Sequence, residues 1–242
     1  MRLFDESAPY YDAIYNAMGK DYEAESRRLR QLIGRHKKSK GKDLLDVACG
    51  TGRHISFLKS SFHAEGLDLD QKLLAIAKRR NKRVRFYHGD MRTFKLPRRF
   101  DVVTCLFSAI GHMTTIPKLR SAVRNMSLHL KPGGVLIVEP WITPANFKKS
   151  TLQGILVKEP KLRVARIGKS TARGRTSILE FWYIAATPER TKCFKESGRC
   201  GLFTHAEYLA AFRWAGLKVV YYSKGLIGRG LYVGIKQARV RL

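Results

Sequence analysis

Short apolar runs alternate with amphipathic stretches along most of this 242-residue chain. Asp43–Ala48, His63–Leu67, Val84–His88, Phe100–Phe107 and Val135–Glu139 read as strands. Arg53–Ser60, Gln71–Arg80 and Pro117–Leu130 read as the helices between them, with Asp70 as an N-cap and Pro132-Gly133 as a stop. Such alternation predicts a parallel sheet with helices on both faces. Residues near 5–36 also read as helical, with Tyr22, Leu29, Leu32 and Ile33 near one face. Gly34 is the expected stop, and Arg35–Lys42 the basic loop after it.

From about 146 to 201 the helical period disappears. Lys161–Ile167 and Ser177–Ile184 alternate apolar and polar residues, and Gly154, Gly168 and Gly174 punctuate them. Period two with one wet face predicts antiparallel strands, here an inserted small sheet acting as a lid or substrate platform. The helical period returns at Thr204, where Glu207 completes a capping box, and Gly216 ends that helix. Leu217–Tyr222 and Leu231–Ile235 are the last strands. The expected organisation is a core of 1–145 and 202–242 with an N-terminal helical cap, and an insertion of 146–201.

Composition narrows the class. No apolar run is long enough to span a bilayer, and Met1–Glu6 is acidic and aromatic, unlike a signal peptide, so a cytoplasmic chain is expected. The four cysteines form no C-x-x-C pair. Reduced thiols are the first expectation, with a Cys193–Cys200 pair or a metal shared with a histidine as the alternatives. No metal set is expected. The net charge is +28, from 47 Lys and Arg against 19 Asp and Glu, which would attract phosphates, nucleic acid or an anionic surface. The basic residues are spread out, as in Lys37-Lys38, Lys78-Arg79-Arg80, Arg98-Arg99 and Lys148-Lys149, without the aromatic clustering of a nucleic-acid footprint.

The chemistry centres on Lys42–His54, which reads as strand, glycine turn and helix start. Glycines let backbone approach a ligand, and the helix start adds free N–H groups. Gly50-Thr51-Gly52 lacks the third glycine of the dinucleotide fingerprint, which argues against a pyrophosphate cofactor. An acidic residue suited to a ribose still follows, Asp68 at the end of the second strand, and Asp90 stands where the third strand should end.

The ordered set Asp46, Gly50, Gly52, Asp68 and Asp90 resembles the class I S-adenosylmethionine-dependent methyltransferases. Further segments narrow the likeness: Gly19–Tyr22, His88–Arg92, Val103–His112, Glu139-Pro140-Trp141, Leu202-Phe203-Thr204 and Gly228–Leu231. From about residue 8 to 236 the chain resembles the N,N-dimethyltransferases of nucleotide-linked amino sugars, the desosamine and mycaminose type. That resemblance implies an α/β fold: a Rossmann-like, doubly wound, mostly parallel seven-stranded sheet with an inserted antiparallel β subdomain. It implies an antibiotic-biosynthetic N-methyltransferase using S-adenosylmethionine on the amine of a small molecule, with Tyr11, Tyr22, Ala48, Asp68, Asp90 and Met91 contacting the cofactor. Asp46, Gly50, Gly52, Leu69 and Leu106 join that set. Asp68 is expected to accept ribose hydroxyls, Asp90 the adenine amino group, and the tyrosines to bond the methionyl carboxylate, unless they pack as ordinary helix residues. His112 is the candidate base, the alternative being a hydrogen bond to the sugar or the backbone. Arg173 and Arg229 are candidates for the diphosphate, Trp141 for stacking on the base and Glu139 for orienting the sugar. The partner expected is a nucleotide-linked amino sugar, with RNA methylation on the basic surface as the alternative. Either a monomer or a homodimer is compatible with the sequence.

Overall fold

The computed structural model describes residues 3–148 and 151–237; Met1, Arg2 and Lys149 of the pair Lys148-Lys149 lie outside the described residues. The chain begins with two helices, α1 (Tyr11–Ala17) and α2 (Tyr22–His36). The expected continuous helix is broken between them. Gly19 adopts φ +78, and the Asp21 carboxylate accepts from the Ala24 N–H at 2.9 Å to start α2 afresh. Gly34 does not stop α2, which runs on to His36. Nothing lies within 4 Å of the place a Cβ would take there, so this glycine stands on an open face.

Strands and helices then alternate: β1 (Asp43–Val47), α3 (Arg53–Leu58), β2 (His63–Asp68), α4 (Gln71–Arg80), β3 (Phe86–His88), β4 (Phe100–Cys105), α5 (Ile116–Leu128) and β5 (Leu130–Val138). After an intervening sheet come α6 (His205–Trp214), β10 (Leu217–Tyr222) and β11 (Leu231–Lys236). The seven strands lie in the order β10-β11-β5-β4-β1-β2-β3, all running in one direction except β11, which is antiparallel to both its neighbours. This is the α/β Rossmann-like architecture. Leu44, Leu45, Asp46 and Val47 are buried on consecutive positions because helices cover both faces. Leu29, Leu32, Ile55 and Leu74 fill one side, and Leu119, Val123, Met126 and Phe212 the other. Local chemistry sets the ends. The Asp70 carboxylate accepts from the Lys72 and Leu73 amides at 2.8 and 2.9 Å, and Thr204 and Glu207 form a reciprocal capping box. β5 starts five residues earlier than expected. Leu130 already pairs with Phe100, and a register shift admits Pro132 and Gly133 into the strand.

Chain order places the site. From β1 the chain runs outward to β2 and β3, then returns to β4 on the other side of β1. The connections leaving β1 and β4 therefore part in opposite directions at the carboxyl edge, where an α/β sheet opens a crevice. The other edge is tied structurally: Lys131 bridges Asp43 and Asp101 at 2.7 and 2.8 Å.

Between β5 and α6 the chain forms a four-stranded antiparallel sheet, β6 (Thr151–Glu159), β7 (Leu162–Arg173), β8 (Thr176–Thr187) and β9 (Arg190–Gly201). α1 packs beneath it: Tyr10 and Ile14 meet Val157, Val164 and Tyr183. The segment before α1 is strapped to β9. The fully buried Glu196 carboxylate accepts from the amides of Phe4, Glu6 and Ser7 at 3.1, 2.7 and 2.9 Å, and from the Ser7 hydroxyl at 2.7 Å. Four donors around one carboxylate satisfy a buried charge that would otherwise be costly. Among the described residues no helix is long and apolar enough to cross a membrane. All four cysteines are free thiols, Cys193 exposed and the others buried.

Candidate functional site

The turn after β1 is built from left-handed backbone. Ala48, Gly50 and Gly52 take φ +58, +56 and +71. Gly52 packs away from the crevice, where a Cβ would meet Asn81 Nδ2 at 2.9 Å and Ala77 Cβ at 3.1 Å. At Gly50 the first atom is 4.0 Å away, so this glycine leaves the crevice open. Asp68, at the end of β2, fixes the turn: one oxygen accepts from the Gly50 N–H at 2.7 Å and the other from Asp70 N–H at 2.8 Å. Burial raises the Asp68 pKa, and these amides pull it back part of the way.

Asp46 lies one strand in, opposite Gly66 of β2 and Thr104 of β4. The Thr104 hydroxyl donates to it at 2.7 Å. Burial pushes its pKa from the ordinary 3.8 up to about 6, corresponding to roughly 3 kcal/mol of preference for the protonated form. A pKa raised on folding means stability falls as pH rises between about 4 and about 6, and the full penalty holds above that window. Asp46→Asn should therefore raise the thermal midpoint at pH 7 and change it little at pH 4. A lower midpoint at both pH values would show that the ionised carboxylate stabilises the fold instead.

Two connected spaces open here. A recess of about 30 Å³ beside the glycine turn is lined by Tyr11, Tyr22, Asp46, Ala48, Gly50 and Leu106, with Arg53 and His54. The Tyr22 hydroxyl is buried in the structure without a hydrogen-bond partner. Beside it, burial pushes the Glu25 carboxyl up, but His54 at 2.8 Å and Lys20 at 2.5 and 2.6 Å outweigh burial and hold its pKa below the ordinary value. A cavity of about 470 Å³ continues from the turn to the second sheet, reaching Asp68, His112, Trp141, Arg166, Phe181 and Arg229. Its aromatic wall runs Phe4–Tyr11–Tyr15–Phe107, with successive ring centres 5.4, 4.6 and 4.7 Å apart.

The connection after β4 is strained. Phe107 and Ser108 both have positive φ, +50 and +61, a conformation costing about 1–3 kcal/mol per residue unless the surroundings impose it. Glu139 imposes it here by accepting from the Phe107 N–H at 2.6 Å. Glu139 is fully buried, its pKa raised by burial, and it does not line the cavity, so it shapes the wall and does not face a sugar. The Ser108 hydroxyl donates to Pro140 O at 2.7 Å and accepts from Arg229 Nη1 at 2.9 Å. Arg229 in turn lies over the Trp141 ring at 4.8 Å, and the indole N–H donates to Ser177 at 3.0 Å. That face of Trp141 is taken by a guanidinium, not left open for a base. His112 ends a short helical turn and keeps open surface at the cavity mouth. Protein crowding on its other sides lowers its pKa below the ordinary 6.5, and the Arg199 backbone pulls it back slightly.

Tyr11, Tyr22, Asp46, Ala48, Gly50, Asp68, Leu106, His112, Trp141 and Arg229 are thus brought together. Five other residues named from the sequence lie outside both spaces, besides Glu139. Gly52 supports the turn from behind. Leu69 is 62% exposed, and Met91 is buried against the core. The Asp90 carboxylate is held by Arg92, with Nε 3.0 Å from each oxygen, a bond that lowers its pKa. Arg173 is exposed at the tip of the β7–β8 hairpin. The sequence reading missed Tyr15, Lys20, Phe107 and Arg166. Lys20 carried a signal: it stands in the quoted Gly19–Tyr22 segment, as a lysine between a glycine and a helix cap.

Residues 44–134 match a family model described as a methyltransferase domain. The chain is 42% identical over 236 residues to the dTDP-3-amino-3,6-dideoxy-alpha-D-glucopyranose N,N-dimethyltransferase of Streptomyces fradiae, covering 97% of this chain and 92% of that one. The crystal structure of DesVI from Streptomyces venezuelae superposes with a TM-score of 0.90 at 37% identity, over 96% of this chain and 98% of that one. The structure of SAM-bound CalS10, an amino pentose methyltransferase from Micromonospora echinaspora involved in calicheamicin biosynthesis, superposes with a TM-score of 0.85 at 40% identity, over 94% and 97%.

Proposed function

We propose that this chain, which belongs to the N,N-dimethyltransferases of nucleotide-linked amino sugars, transfers methyl groups from S-adenosylmethionine to the amine of a dTDP-linked aminodeoxy sugar. The observation carrying this reading is the continuous space that joins the Asp68 and glycine-turn end to the His112, Trp141 and Arg229 end. One space serves both a donor and an acceptor.

The residues present fit the donor. The unpartnered Tyr22 hydroxyl and the buried Arg53 Nε supply donors for a carboxylate. The open Gly50 lets backbone approach, and Asp68 has lone pairs left for ribose hydroxyls. When bound, S-adenosylmethionine supplies an electrophilic methyl group, whose bond to a cationic sulfur breaks as the amine lone pair forms the carbon–nitrogen bond.

The protein must then do two things. It holds the amine in line, and positioning of this kind is worth on the order of 7–11 kcal/mol. It also removes a proton, because each methylation leaves a cationic nitrogen that cannot react again until it is neutral. His112 takes that role: its lowered pKa keeps the imidazole neutral and able to accept near neutral pH. The aromatic wall of Tyr11, Tyr15 and Phe107 excludes water from the reacting atoms.

Incubation with S-adenosylmethionine and a dTDP-linked aminodideoxy sugar should give products heavier by one and then two CH₂ equivalents in mass spectrometry. An acceptor of unchanged mass, with enzyme that binds S-adenosylhomocysteine, would overturn the substrate assignment.

A further inference from the structure

We propose that Arg166, on β7, holds the diphosphate of the nucleotide-linked substrate together with Arg229. The inference rests on the substrate reading above and adds a residue to it.

Arg166 is 5% exposed and lines the cavity. It shares the inward face of β7 with the buried Val164 and Gly168, two positions away on either side. Its neighbours are neutral. Nη2 lies 3.0 Å from Met18 Sδ, and the guanidinium lies over the Phe181 and Tyr15 rings at 4.9 and 5.7 Å. Its Nε is buried without an acceptor. Among the described residues no carboxylate forms an ion pair with it, whereas buried Lys20 has Glu25. Glu196, which acts on the Tyr183 hydroxyl as Arg166 does, is committed to the strap before α1. Burying a guanidinium without a counter-charge is strongly unfavourable. The missing partner is an anion that enters the cavity.

Tyr15 fixes the geometry. Burial raises its hydroxyl pKa, while Arg166, through charge and a hydrogen bond, and Arg229, through charge, both lower it. Both guanidiniums line the same cavity as Tyr15 and lie close enough to act on its hydroxyl. Two guanidiniums in one cavity suit an anion with two linked phosphate groups, since each planar fork can bind a phosphate through two N–H donors. The methionyl carboxylate of the donor does not meet this need, because the Tyr22 recess is lined by other residues and Arg166 is absent from it.

The test is calorimetry of wild type, Arg166→Met and Arg166→Lys with two probes, dTDP and S-adenosylhomocysteine. Arg166→Met should weaken dTDP binding on the order of 100-fold and leave S-adenosylhomocysteine binding intact, as expected for loss of charge-assisted phosphate bonds. Arg166→Lys keeps a charge but not the fork and should fall between. Equal dTDP affinity in wild type and Arg166→Met overturns the assignment, as does parallel loss of both ligands. Wild type that binds S-adenosylhomocysteine and not dTDP overturns the nucleotide-sugar reading itself. If Arg166→Met does not fold, Arg166→Lys decides by kinetics: a raised KM for the nucleotide sugar at unchanged kcat and unchanged KM for the donor supports the role, and an unchanged KM for the sugar rejects it.

Discussion

Asp68→Asn should weaken S-adenosylhomocysteine binding by about 10²–10⁴-fold while the protein stays folded. Asp68 combines two jobs in one carboxylate. It accepts the Gly50 and Asp70 amides, and so holds the glycine turn in its left-handed shape. It also presents its remaining lone pairs to the crevice. An amide replaces one acceptor oxygen with an NH₂ group that cannot accept, so one turn amide loses its bond and a ribose hydroxyl meets a donor. Each such loss at a buried group is worth about 1–3 kcal/mol. The fold itself should lose little, because burial already disfavours the Asp68 charge. Calorimetry with the demethylated product and a thermal melt separate the two effects. Unchanged affinity in a folded variant would remove Asp68 from donor binding.

The second large effect is expected at His112. His112→Asn should lower kcat by about 10²–10⁴-fold, the usual span for removing a general base, with donor affinity near wild type. The pH profile carries the mechanism. The base role requires neutral imidazole, so the wild-type rate should fall as pH drops through the His112 pKa. That acid limb should lie below the ordinary 6.5, because crowding at the cavity mouth disfavours the imidazolium. The variant should lose the limb. A variant with a lower rate and the same acid limb would make His112 a substrate contact and assign the limb to another group, and an unchanged rate would remove it from the chemistry.

The sequence carried the sheet and its helices because those signals are local. Asp70 caps α4 two and three residues on, and Thr204 with Glu207 closes its box within one turn. Consecutive buried residues in β1 mark a strand covered on both faces. The glycines were harder, because their role depends on what surrounds them. Gly34 sits in open space inside a helix, while Gly19 turns the chain and leaves Asp21 to begin the next one. The lining of the crevice was legible where the motif and the sheet edge coincide, as at Asp46, Gly50 and Asp68. It was not legible where a side chain finds a nearer partner, as Asp90 does in Arg92 two residues away. The diphosphate candidates show the same limit. Arg166 and Arg173 lie on one strand, seven residues apart, and hence on opposite faces of a period-two element. Alternation with Val164 marked Arg166 as inward, but a basic residue at an inward position is easily counted as solvated when basic residues are everywhere in the chain.

The strap before α1 has a practical consequence. Glu196 pins Phe4, Glu6 and Ser7 in place, and Leu3 and Phe4 form part of the cavity wall. A purification handle at the amino end would join the chain within a few residues of the cavity wall. Assays of this enzyme are better run on protein tagged at the carboxyl end or with the leading handle cut away.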